Sequence, residues 1–430
     1  MNTLRRGSAG TDVSILQLAL KRAGFDPGKP DGIFGEKTLK AVTDFQRRNG
    51  LVPDGIAGEK TWNALTPYLT GYIVHTIESG DTFYLLAQKY GTTTEAIFTA
   101  NPGTDAENLP IGANLTVPLG FPLVTGEINF TYTLLKFTLE GLAARYPFIS
   151  GGSIGKSVGG REQYYLKMGS GQKRVMFNAA HHANEWITVP TVLKFFEQYA
   201  ESYSKGESIY GADARNLFEN VTLYIVPMVN PDGVELVTGA LTAGQPEYEQ
   251  AKAIAARYPA VEFPNGWKAN IAGYDLNLNY PAGWEQARDN KYALGFTTPA
   301  PLNYVGTEPL SAPESRAMYD FTVSNDFLLT LSYHAQGEII YWKYLDYEPQ
   351  YSYEIAKRME GKSGYVAELT PYAAGFAGYK DWFILQYNRP GYTIEVGKGK
   401  SPLPLEQFDK IYSDNTGIFI TALVSAATLL

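Results

Sequence analysis

Two of the four histidines in the 430-residue chain stand side by side in Ala180-His181-His182-Ala183-Asn184-Glu185-Trp186. His182 and Glu185, three positions apart, lie on one side of a helix or turn, so both can reach one cation. A catalytic zinc takes three protein ligands and keeps a fourth position for water. The chain has no cysteine, so the third ligand must be His, Asp or Glu. Of the other two histidines, His75 lies in a separate N-terminal segment, whereas His334 directly follows the apolar run FLLTLSY. A lone histidine is more often a core residue with its hydrogen bonds met. His182, Glu185 and His334 together, at strand ends, point to a metal. Glu395, which ends the apolar stretch GYTIE, is a fourth chemical group of the same kind.

These groups need strands to carry them. From about residue 121 the chain reads as α/β: RVMFN (174–178), VTLYIVP (221–227), FLLTLSY (327–333) and GYTIEV (391–396) are buried-strand candidates separated by helical stretches. After AHHANEW, the residues Val189, Val192, Leu193, Phe196 and Tyr199 form the apolar stripe of a helix packed on a sheet. In open α/β sheets, sites gather beyond the carboxyl ends of the strands, which is where all four groups fall.

The first 120 residues differ. PDGIFGEKTL (30–39) recurs as PDGIAGEKTW (53–62), each a turn feeding a helix. Val13, Leu16, Leu20 and Ala23 share one helical face, with Asp12 as expected N-cap and Gly24 as C-cap. Three short helices follow, and LRRGSAGTDVSILQLAL, DGIFGEKTLKAVTDFQ and DGIAGEKTW together resemble the peptidoglycan-binding-1 module of cell-wall hydrolases. Residues 70–120 read strand, helix, helix, strand. There YIVHTIESGDTFYLLAQKYGTTTEAIFTANP with LPIGANLTVPL is similar to a LysM domain, which implies binding to N-acetylglucosamine-containing glycans.

Composition sets the outer bounds. With 44% hydrophobic and 19% charged residues the chain is globular, and a net charge of −8 with scattered basic residues argues against a nucleic-acid partner. No run reaches the roughly 18 apolar residues of a membrane helix. The opening MNTLRRGSAGTDVS lacks a signal peptide's apolar core, so synthesis without a classical export signal, in the cytoplasm or the sporangium, is expected, while the resemblance to wall-binding modules implies action at the cell wall or spore peptidoglycan.

Across residues 125–430, HHANEW, NPDG (230–233), DLNLNY (275–280), SYHAQG (332–337) and DWFILQYNRPGYTIEVG (381–397) resemble, in order and spacing, the zinc carboxypeptidase family. With the wall modules, the likeness extends to bacterial γ-D-glutamyl-meso-diaminopimelate peptidases. The resemblance implies a large α/β domain (121–430) with a central mixed sheet flanked by helices, preceded by a three-helix bundle (1–68) and a βααβ module (70–120). It makes His182, Glu185 and His334 ligands of one zinc and Glu395 the general base, with His181 their neighbour. Where the family carries arginine for the oxyanion, this chain has Lys268. Where it carries Asn-Arg for the terminal carboxylate, this chain has Asn277-Leu278. Lys380 falls at the family's specificity position, suiting an anionic substrate side chain, and Tyr372 falls near its mobile tyrosine. The implied activity is cleavage of the γ-D-Glu to diaminopimelate bond in stem peptides. A conventional carboxypeptidase and an inactive wall-binding protein are the alternatives.

Overall fold

Each copy of the Pro-Asp-Gly repeat is closed by a buried glutamine from the helix before it. Gln17, on helix Thr11–Arg22, donates through Nε2 to Asp31 Oδ1 (3.0 Å), the Ile33 carbonyl (3.2 Å) and Thr38 Oγ1 (3.1 Å), and its Oε1 accepts the Gly32 N–H at 2.9 Å. Gln46, on helix Glu36–Arg48, repeats the set on Asp54 (2.9 Å), the Ile56 carbonyl (3.0 Å), Thr61 (3.1 Å) and the Gly55 N–H (2.9 Å). Gly55 is required twice over: its φ is +74°, and a Cβ there would lie 2.4 Å from Leu39 Cδ1. Helix Glu59–Leu65 completes the three-helix bundle. Asp12, expected as N-cap, instead sits in the first turn behind Gly10, because its carboxylate turns back to the Asn2 amide at 2.8 Å.

The next module forms as read. Strand β1 (Tyr72–Thr76) pairs antiparallel with β2 (Asn114–Pro118) around helices Phe83–Tyr90 and Thr94–Ala100, which Thr82 and Thr93 cap. His75 is satisfied there by Asp81 (2.7 Å) and Tyr90 (3.0 Å), as a structural histidine should be. Helix Tyr132–Arg145 follows, and the buried Arg145 guanidinium donates to the carbonyls of Gly71, Leu119 and Phe121. The chain divides into two compact units, Met1–Ser150 and Gly151–Leu430. A computed structural model describes all 430 residues, and no helix in it is long and apolar enough to cross a membrane.

The large unit is built on an eight-stranded mixed sheet. Its strands are β3 (Ser150–Lys156), β4 (Glu162–Met168), β5 (Lys173–Ala179), β8 (Val221–Val226), β9 (Phe327–His334), β10 (Ile339–Tyr341), β11 (Val366–Glu368) and β12 (Gly391–Glu395), in the order β11-β10-β12-β9-β5-β8-β4-β3; β6 (Ser208–Ile209) and β7 (Ala212–Asp213) form a separate hairpin. The central strands β12, β9, β5 and β8 run parallel, so their carboxyl ends share one edge, while β4 and β10 run antiparallel. Alternation sorts the side chains of β9. Leu329, Leu331 and Tyr333 join Val175 and Phe177 under helices Thr188–Lys205 and Phe408–Thr428, where Phe177, Phe195 and Phe419 stack. The other face, with Met176 and Tyr224, packs against Met318 and against Tyr379, Trp382 and Phe383 of helix Tyr379–Tyr387.

One buried acid in this frame gives a stability prediction. Glu314 is fully buried, its Oε1 accepting the Val158 N–H (3.0 Å) and its Oε2 the Asn270 amide (2.9 Å). Burial outweighs those bonds and pushes its carboxyl up to about 7 from an ordinary 4.5. An acid whose folded pKa is raised keeps its proton where the unfolded chain has lost it, so stability falls as pH rises from about 4.5 to about 7, by up to roughly 3 kcal/mol, and then levels. Melting curves at pH 5 and 7.5 should show a smaller loss in Glu314→Gln than in the parent chain; equal losses would show that Glu314 does not carry the dependence.

Candidate active site

At the end of β5 the chain leaves the sheet through Ala180, whose φ is +54°. His182 is still extended, and Ala183–Glu185 make one 3-10 turn that brings the Glu185 carboxylate back beneath the His182 ring. His182 Nδ1 lies 3.0 Å from Glu185 Oε1. His334, the last residue of β9, puts its Nδ1 2.9 Å from Glu185 Oε2 and 3.3 Å from His182 Nδ1. Glu395, ending β12, stands in register with His334 on the neighbouring strand.

The donor set fits a zinc ion. His182 Nε2 faces Asp275 Oδ1 at 3.0 Å, and in the neutral ring a proton shared with that carboxylate leaves a lone pair on Nδ1 for a metal that displaces the second proton. Two imidazole nitrogens and one carboxylate then converge within 4.8 Å of one another, the three-ligand set of a catalytic zinc. His182, Glu185 and His334 are the residues that would hold it.

Charges are matched around this point. Burial works against a charged His182, but Glu185 and Asp275 outweigh it and raise its pKa to about 9. Burial likewise opposes ionisation of Glu185, yet His182, Lys268 and the histidine hydrogen bonds hold it well below the usual carboxylate range. Asp275 is held near 2 against its own burial, chiefly by His182. Glu395 differs: burial first, then the Glu185 charge, pushes it up to about 8 against the pull of Lys268 and His182. A carboxyl poised in the neutral range is suited to accept and return a proton.

The remaining expected residues divide. Lys268 belongs to the site, with Nζ 3.0 Å from Glu185 Oε1, and Glu185 foremost raises its pKa. Asn277, two residues after Asp275, accepts the Tyr379 N–H through Oδ1 at 3.0 Å, while Leu278 is partly buried and packs against the hydrophobic cluster. Lys380 is buried, and its ammonium already meets Asp381 (2.5 Å), the Lys343 carbonyl (2.8 Å) and Thr370 Oγ1 (3.3 Å). Ion-paired with Asp381 and donating to two further oxygens, it offers no free cation. Beside it, Lys343, Thr370, Tyr372 and Asp381 line a pocket of about 310 Å³. Tyr372 is exposed, edge-on to Phe376 at 5.0 Å. His181, buried beside the ligands, pairs with the Tyr280 hydroxyl at 3.0 Å.

Asp275 was not singled out among the site residues, although DLNLNY holds it. An acid 93 positions from its histidine gives no spacing signal; only the fold brings them together. Asp275→Asn keeps the shape but removes the anion that holds the His182 tautomer, so zinc affinity should fall about 10–100-fold. Chelator competition on the full chain measures this; unchanged affinity would make Asp275 merely a loop anchor, a role it also has through the Asn303 N–H at 2.9 Å.

Comparison with known proteins gives three matched regions. A zinc carboxypeptidase family model matches residues 136–417, a peptidoglycan binding domain 9–65 and a LysM domain 75–118. Gamma-D-glutamyl-L-diamino acid endopeptidase 1 of Lysinibacillus sphaericus is 40% identical over 305 residues, 71% of this chain and 75% of that one. Protein YqgT of Bacillus subtilis is 39% identical over 280 residues, 65% and 73% of the two chains. Among solved structures, carboxypeptidase A of Helicoverpa armigera aligns with TM-score 0.54 at 19% identity, covering 92% of this chain and 96% of that one, a likeness of fold.

Proposed function

The chain belongs to the zinc carboxypeptidase family, as a metallopeptidase carrying peptidoglycan-binding modules, and from that premise we propose that it cleaves the γ-D-glutamyl to diaminopimelate bond of peptidoglycan stem peptides. The observation that carries the reading is Leu278. At the position where a terminal-carboxylate clamp would sit, the side chain is aliphatic, partly buried and packed against the core cluster. A substrate whose chain continues past the scissile bond therefore leaves no buried guanidinium unpaired, which favours an endopeptidase over a conventional carboxypeptidase. The Lysinibacillus sphaericus relative, named for action on a γ-D-glutamyl-diamino acid bond, supports the same choice.

Zinc, when bound, supplies a polarising charge and lowers the pKa of water toward about 7. Glu395 takes the proton of the attacking water and returns it to the leaving amine. Lys268 supplies positive charge where the carbonyl oxygen becomes anionic, as a single point charge rather than an arginine fork. Asp275 keeps the His182 tautomer. The pocket near Lys380 receives the diamino acid side chain, with Lys343 as a cation lining it and Asp381 and Asp346 as anions, a lining suited to an end that bears both an amine and a carboxylate. The two N-terminal modules bind the wall, where the protein acts on cell-wall or spore peptidoglycan.

Mass spectrometry of defined stem peptides after incubation with the full chain tests the reading. Tripeptide stems should release free diaminopimelate and tetrapeptide stems a diaminopimelyl-D-alanine dipeptide with a new free amine, each leaving L-Ala-γ-D-Glu with a free γ-carboxylate. Loss of the terminal D-Ala alone from tetrapeptide stems would establish a carboxypeptidase instead, and no cleavage by zinc-loaded protein would leave a wall-binding module.

A further inference from the structure

Below the His334 ring, the interior face of β9 carries polar side chains in a row. Thr330, Ser332 and His334 alternate with Leu329, Leu331 and Tyr333 and so share the face that Met176 also occupies. Asn178 of β5 stands directly opposite Ser332, and Thr393 of β12 flanks Ser332 on the other side. Asn178, Ser332 and His334 are at most 1% exposed. Yet both amide atoms of Asn178, the hydroxyls of Thr330 and Ser332, Nε2 of His334 and Nδ1 of His181 meet no hydrogen-bonding partner in the protein. The His181 ring lies over His334, centroids 5.8 Å apart and 23° from parallel.

Each unmet buried polar atom costs about 1–3 kcal/mol, whereas a valine or leucine of similar shape would cost nothing of the kind. Six such unmet atoms would cost a large fraction of a domain's net stability, so buried partners are expected for them. Water is the partner that bridges two to four polar groups between neighbouring strands. His334 also needs one. Its Nδ1 faces Glu185 and His182, so as a metal ligand it must carry its proton on Nε2, and that N–H needs an acceptor. For His182 the acceptor is Asp275. No side chain does this for His334.

We propose that Asn178 and Ser332 hold a buried water against Nε2 of His334, and that this water fixes the ring in the tautomer whose Nδ1 lone pair faces the metal. Asn178 and Ser332 are then positioning residues, acting on the metal through His334. The two histidine ligands are held unequally, one by a charged partner and one by a neutral water.

The inference rests on His334 being a metal ligand, which zinc retention by His334→Ala would refute separately. Its own test uses full-length Asn178→Leu, Ser332→Ala and Asn178→Ser, with zinc affinity by chelator competition, thermal midpoint, and electron density of the parent crystal. Asn178→Leu should bind zinc about 10–100-fold more weakly with an unchanged or higher midpoint, since a lost tautomer lock and a lost packing contact separate in those two readings. Asn178→Ser, which restores an acceptor, should recover most of the affinity. If Asn178→Leu does not fold, Ser332→Ala and the density decide. Parent-like zinc affinity in the leucine or alanine variant, or density showing Asn178 or Ser332 bonded directly to His334 with no water between them, overturns the proposal.

Discussion

His334→Ala should leave the full-length chain with less than roughly a tenth of an equivalent of zinc and no measurable hydrolysis of stem peptides. The expectation follows from how few donors the site has. His182, Glu185 and His334 are the whole convergent set, and a third of it is lost. The variant also removes a hydrogen bond from the buried Glu185, which keeps only those from His182, Lys268 and the Ala335 N–H. Metal analysis and activity should fall together, while circular dichroism of the fold persists. A chelator should reproduce the loss in the parent chain, and added zinc should reverse it there but not in the variant. One equivalent of zinc in His334→Ala would remove this residue from the metal site.

Glu395→Gln should give the opposite pairing: zinc retained near one equivalent, KM little changed, and kcat lower by about 10²–10⁴-fold. Glutamine keeps the shape at the end of β12 but cannot take a proton. The pH profile separates this from a structural effect. Burial and Glu185 push Glu395 up to about 8, and a bound dication adds to the opposing pull of Lys268 and His182. Because the base must be ionised to act, the parent's activity should rise with pH through this group's apparent pKa, on the acid limb. Residual activity of the variant should lack that limb. A parent-like acid limb in Glu395→Gln would assign it to another group.

The ligands could be read from the sequence because each ends a strand or opens a turn beside an apolar run, so local pattern and chemistry coincide in HHANEW, SYHAQG and GYTIEV. The strands, the stripe on helix Thr188–Lys205 and both wall-module folds were legible for the same reason. Three things were not. The Asp275 to His182 contact spans 93 residues. The commitment of Lys380 depends on a carbonyl, Lys343, and a hydroxyl, Thr370, from two separate loops. The packing of helix Tyr132–Arg145 within the first unit brings Arg145 to three backbone carbonyls and Glu140 to the Tyr72 hydroxyl, contacts without a local side-chain pattern. The polar row on β9 lies between these cases. FLLTLSYH shows Thr, Ser and His at every second position, a visible signal whose meaning depends on Asn178 from another strand.

The paired glutamines of the N-terminal bundle make its cohesion uneven. Gln17 closes a span of 14 residues to Asp31, and Gln46 one of 8 residues to Asp54. Loop-closure entropy scales as about (3/2)RT ln n, so the longer clasp carries roughly half a kcal/mol more closing cost for the same set of bonds. Helix Glu36–Arg48 belongs to both clasps, receiving the first through Thr38 and sending out the second from Gln46, so it couples the two turns, and hydrogen exchange at the Gly32 N–H is expected to be somewhat faster than at the Gly55 N–H.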